Sequence, residues 1–177
     1  MRGLLLWGLM SALATVPALA ADDVVSAVAG SVKVVNKATK TAVVRSADGT
    51  EHTFHFVGRT VAHGAKATGA GAKDAFEGMK DGDEVVVHYT AKGADKTAEE
   101  VDHVGKDGLK KSVVAVKAID RGARTVTVKT ADGAEDTYHM TANAFRETGK
   151  GLDKGGKVTV YYTEEGGKKI AHFFATS

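Results

Sequence analysis

Apolar and polar residues alternate with period two along most of the chain after residue 30. Val32 and Val34 flank Lys33. Ala42 and Val44 alternate with Val43 and Arg45, and Phe54 and Phe56 with Thr53 and His55. Val85, Val87 and Tyr89 alternate with Val86, His88 and Thr90. The pattern returns further on, with Val116 and Ala118, Val126 and Val128, Tyr138 and Met140, then Val158, Val160 and Tyr162. Such alternation predicts half-buried strands, and Val, Thr, Tyr and Phe suit a pleated surface. Ala47-Asp48-Gly49 and Ala131-Asp132-Gly133 fall between two of these strands in each stretch, where Asp-Gly supplies the positive φ of a tight hairpin. Gly93 and Gly166-Gly167 mark later hairpins. The longest connection, 57–83, ends in Ala75-Phe76-Glu77-Gly78-Met79, which reads as one helical turn.

The two stretches are copies of one another. Residues 32–56 align on 116–140 at an offset of 84, with 10 of 25 positions identical. Residues 78–101 align on 151–174 at an offset of 73, with 9 of 24 identical. The first copy therefore carries 11 extra residues, assigned to the Gly/Ala-rich stretch from His63 to Lys73, a loop by composition. The units are expected at 24–104 and 112–177, joined by a solvated linker at 105–111. Three strands, a connection with a helical turn and two more strands give an all-β protein of two tandem five-stranded small barrels. The order is OB-like, with an SH3-like barrel as the alternative that periodicity leaves open.

Composition adds an address. Residues 1–20 read as a secretory signal peptide, with Arg2, a short apolar run from Leu4 and an Ala18-Leu19-Ala20 cleavage site. The run falls short of the roughly 20 apolar residues that span a membrane. The mature chain is thus expected to start at Ala21, in the periplasm or outside the cell, with no membrane insertion after cleavage. The sequence has no cysteine, which excludes disulfides, thiolate metal sites and thiol catalysis. Its net charge of +2 argues against a nucleic-acid partner.

Several motifs resemble a family of small secreted bacterial β-barrel domains of unknown function. They are Val126-x-Val128 with Asp132-Gly133, Met79-x-x-Gly82-Asp83-x-Val85-x-Val87, and Lys96-Thr97-Ala98 or Lys169-Ile170-Ala171. The resemblance implies a barrel fold, present twice, and says little about chemistry. A more distant similarity is to periplasmic copper-chaperone OB barrels. That family uses a His, closely spaced Met residues and a Trp, and the mature chain has neither the Trp nor a Met-x-Met pair.

Candidate chemistry centres on histidine. His52, His55, His63, His88 and His103 crowd the first copy, against His139 and His172 in the second. A metal reading takes His52 or His55 with His63 swinging in on the loop, as imidazole ligands for Cu(II), Zn or Ni. The three-residue offset of His52 and His55 puts them on opposite faces of a strand, so solvated histidines are the competing reading. The pairs Asp81/Asp83, Glu99-Glu100 and Glu164-Glu165 read as turn and surface residues. No G-x-S-x-G or P-loop occurs, so no enzyme and no cofactor are expected. The outer face of the second and third strands lacks the aromatics of a nucleic-acid binder. Aromatics do differ between the copies: Tyr161 and Phe173 stand where the first has His88 and Glu100. An outward aromatic pair wants a partner, and the other barrel is the nearest. The expected function is exported, non-enzymatic binding or an envelope accessory role for an unknown ligand, with low-affinity periplasmic metal handling as the alternative.

Overall fold

Alternating strands with turns at Asp-Gly close on themselves twice. The computed structural model describes residues 25–64, 78–106, 108–148 and 152–176. The strands are β1 (Val25–Asn36), β2 (Thr41–Ser46), β3 (Glu51–His63), β4 (Glu84–Lys92) and β5 (Asp95–His103), then β6 (Lys110–Asp120), β7 (Thr125–Lys129), β8 (Glu135–Met140), β9 (Lys157–Glu165) and β10 (Lys168–Thr176). The helix α1 (Ala142–Thr148) lies between β8 and β9. The first five strands form a closed barrel in the order β1-β2-β3-β5-β4, and the last five another in the matching order β6-β7-β8-β10-β9. In each, the third and fifth strands pair in parallel and the first strand pairs with both the second and the fourth. This order is the OB-like one, and it decides against the SH3-like alternative.

Inward residues of each barrel make its core. Val32, Val44, Val85, Val87 and Val101 surround Phe54 in the first, and Val126, Val128, Val158 and Val160 surround Tyr138 in the second. The hairpin turns use Gly49 (φ 84°) and Gly133 (φ 87°), a backbone region that costs other residues strain. No helix among the described residues is long and apolar enough to cross a membrane.

Three expectations are corrected. Val34 does not follow Val32 inward but is exposed, and Ala118 likewise leaves the core after Val116. A β-bulge at Lys33, and its counterpart at Lys117, adds one residue and reverses the phase of the strand beyond it. Val35 and Ile119 then pack inward. The third strand does not end near Phe56. After an irregularity it pairs again with β5 through Val61, Ala62 and His63, so His63 sits on a strand and not in a loop. Inward Thr60, whose hydroxyl donates to the Ala98 carbonyl, and inward Ala62 carry too little apolar character to show this in the sequence. The linker is not a solvated tether. Leu109 is buried, its N–H donates to the His103 carbonyl, and a Cβ on Gly108 would meet that oxygen at 1.9 Å. The signal-peptide segment 1–20, and residues 65–77 of the loop and helical turn, lie outside the described residues.

The barrels meet through the outer faces of β1 and β4, against β9 and β10 of the second barrel. Val86, Leu109 and Tyr161 are buried together, with Ala27, Ala29, Val104, Phe173 and Ala175 around them. Tyr161 stacks on Phe173 at 6.0 Å and its hydroxyl lies 3.4 Å from a carboxylate oxygen of Glu84.

Candidate metal centre at the barrel junction

Beside this apolar contact the junction holds a cluster of charged and imidazole side chains. Residues that alternate outward on β3, β4 and β5 place His63, His88, Glu100 and Asp102 on one face of the first barrel; cross-strand pairing brings His88 next to Glu100 and His63 next to Asp102. The second barrel contributes His172 from β10, and Asn143 and Glu147 from α1. His172 is itself the extra residue of a β-bulge between Ala171 and Phe173, which turns its side chain toward the first barrel.

Asp102 lies at the centre. It is 0% exposed, and neither carboxylate oxygen has a hydrogen-bond partner. Its Oδ2 faces His88 Nε2 at 3.7 Å and His172 Nδ1 at 3.6 Å, beyond hydrogen-bonding distance. Burial alone would raise its pKa, but the imidazoles of His172 and His88 outweigh that and hold it at about 2. His88 is also buried, and its Nδ1–H donates to Glu147 Oε1 at 2.9 Å. Burial disfavours its charged form, yet Asp102 and Glu147 together push its pKa up to about 9. Without a metal, His88 is therefore an imidazolium between two carboxylates of different barrels.

His63 Nε2 lies 3.3 Å from Glu100 Oε1, while Asn143 donates to the other Glu100 oxygen at 2.9 Å. One donor atom each from His63, Glu100 and Asp102 lie within 4.8 Å of one another, a spacing that fits a single ion. A cavity of about 270 Å³ opens at this point, lined by His63, Asp102, His172, Leu109 and Thr163 among others.

Of the sequence-predicted ligands, only His63 joins this group. His52 shares the side of β3 that carries Phe54, on which its ring stacks, and His55 is exposed on the opposite face. Both nitrogens of His52 are engaged, Nδ1 by Lys96 at 2.7 Å and Nε2 by Ser46 at 3.3 Å, and burial and the lysine lower its pKa. His88 faces Glu100 across the β4–β5 hairpin, Asp102 follows two residues on, and His172 joins from the other barrel, so no local ligand motif marks them. The signal that could have found them is the difference between copies. His88, Glu100 and Asp102 align with Tyr161, Phe173 and Ala175, so the same outer face is polar in one barrel and apolar in the other.

No family model matches the chain, and no curated protein does. Solved structures show similarity at low scores. Silver-bound CusF, Ag(I)CusF, is 15% identical with a TM-score of 0.34, covering 45% of this chain and 96% of that one. Drosophila Unr CSD456 is 12% identical with a TM-score of 0.35, covering 86% and 61%. The tetrameric p202 HIN2 is 9% identical with a TM-score of 0.29, covering 88% and 92%. At these scores the likenesses carry no argument about function.

Proposed function

We propose that the protein is an exported, non-enzymatic binding component of the cell envelope that holds a divalent transition-metal ion where its barrels meet. The state of Asp102 carries the reading: a fully buried carboxylate with no donor on either oxygen, ringed by imidazoles. The His88 imidazolium beside it offsets part of the cost of burying that charge, and a cation bound by His63, Glu100 and Asp102, whose donor atoms lie within 4.8 Å of one another, would offset more. The donors that surround it are imidazole nitrogens and carboxylate oxygens, the set of Zn(II), Cu(II) and Ni(II) rather than the all-oxygen set of calcium. Among the described residues thioether ligation of Cu(I) or Ag(I) does not fit, since Met79 and Met140 are both buried in barrel cores. His63 and Asp102 are the first ligands, with Glu100 held in place by Asn143. The export signal at 1–20 supports an envelope location, and the lack of a nucleophile motif supports binding without catalysis.

Isothermal titration of the purified protein with Zn(II), Cu(II) and Ni(II) tests this. Saturable binding is expected, weakened at least tenfold by the near-isosteric Asp102→Asn. No saturable binding, or binding unchanged in Asp102→Asn, overturns it.

A further inference from the structure

We infer that an ion at His63, Glu100 and Asp102 keeps one coordination position open to the junction cavity, and that this position takes a small neutral nitrogen ligand, an amine or an imidazole. The inference rests on the metal-binding reading above and says what the loaded site binds. Three protein donors gather within 4.8 Å of one another. A tetrahedral ion takes a fourth, and three protein ligands with one open position is the arrangement of zinc sites that receive an outside ligand. Two of the three donor residues, His63 and Asp102, line the cavity of about 270 Å³. The third, Glu100, is held from α1 by Asn143 at 2.9 Å. The space left to a fourth ligand is therefore the cavity.

The lining selects the ligand. His103, also on the cavity wall, is buried, and its Nε2 has no hydrogen-bond partner. Buried polar atoms are rarely left unpaired, and an N–H group on a metal-bound ligand supplies the missing partner. Leu109 adds an apolar wall, and Gly108 beside it has no side chain to fill the space. The volume falls just below the roughly 300–1,000 Å³ of pockets for drug-sized ligands, so the guest is small. Charge decides between nitrogen and anionic ligands. Asp102 and Glu165 line the cavity, Glu100 joins Asp102 at the ion, and the described lining has no lysine or arginine. The His88 imidazolium beside Asp102 is already matched by Glu147. Three carboxylates against one divalent ion repel a further carboxylate or phosphate, whereas a neutral nitrogen donor meets no such repulsion. Imidazole and amine nitrogens are also donors that Zn(II), Cu(II) and Ni(II) accept.

Calorimetry of the Zn(II)-loaded and metal-free protein with imidazole, and with acetate as the anionic comparison, tests the inference; native mass spectrometry counts the zinc. Imidazole is expected to bind the loaded protein alone, about tenfold tighter than acetate, in a complex that retains its zinc. His103→Leu, which removes the hydrogen bond and keeps the bulk, should weaken imidazole about threefold to tenfold and leave zinc affinity unchanged. Four results overturn the open position and leave metal binding standing: no imidazole bound to the loaded protein, equal binding of acetate, equal binding without zinc, or release of zinc by imidazole. These parent comparisons decide the matter even if the variant does not fold. An imidazole affinity unchanged in folded His103→Leu overturns the contact with the cavity wall. No zinc bound by the parent overturns the metal reading itself.

Discussion

Replacing Tyr161 by alanine should part the two barrels without unfolding either one. Tyr161 points away from the core that its neighbour Val160 enters, and neither barrel core includes it. Its ring is 7% exposed, packed on Val86, Leu109 and Phe173. Truncating a buried aromatic ring to alanine costs about 3–5 kcal/mol, the transfer and cavity terms together. Here the loss falls on docking. At the lower end it shifts the ratio of docked to undocked molecules by about a hundredfold. The turn at 105–109 keeps the barrels tethered, so the docked state survives in part through effective concentration. Nitrogen-15 relaxation should give one correlation time for the parent. The variant should give shorter and distinct values for 25–103 and 110–176, with an unchanged far-UV spectrum. A variant that still tumbles as one body with an unaltered denaturation midpoint would refute the reasoning. So would loss of the second barrel's dispersed signals, which would place Tyr161 in that barrel's own core.

His88 has its folded pKa raised from 6.5 to about 9, so its contribution is complete below about pH 6.5 and is lost as pH rises through 9. Denaturant titrations of the metal-free protein should show stability falling as the pH rises through that window. His88→Gln should abolish the slope, and a slope retained in it would assign the effect elsewhere. Gly108→Ala should destabilise the junction, because its Cβ would lie 1.9 Å from the His103 carbonyl oxygen; an unchanged Tm would contradict the tight turn. Val32→Ala should cost about 1–3 kcal/mol and Val34→Ala under about 0.5, since the bulge buries one and exposes the other. Equal costs would mean the bulge is absent. Mass spectrometry of exported protein should find Ala21 at the N-terminus, and an intact Met1 would remove the export signal from the argument.

The fold was legible because a barrel strand must alternate and because the chain states its pattern twice. What escaped was whatever breaks alternation without breaking composition. Val32-Lys33-Val34 looks continuous on paper, and only the extra residue opposite β2 shows the phase reversal. The extension of β3 hid behind Thr60 and Ala62, inward positions that are polar or small. The site escaped for a different reason. A search for ligands close in sequence finds His52 and His55, which the pleat puts on opposite faces. The cluster instead joins His63, His88, Glu100, Asp102 and His172 across four strands of two barrels, where pairing and docking set the spacing. The comparison of copies did contain its outline, since Tyr161 and Phe173 align with His88 and Glu100. The apolar half of that contrast points to a contact face. The polar half points to the chemistry beside it.

Anomalous diffraction from crystals grown with Zn(II) tests the metal centre most directly. A peak is predicted within bonding distance of the Asp102 carboxylate, beside His63 and Glu100. No peak at Asp102, or peaks at His52 and His55 alone, would contradict it.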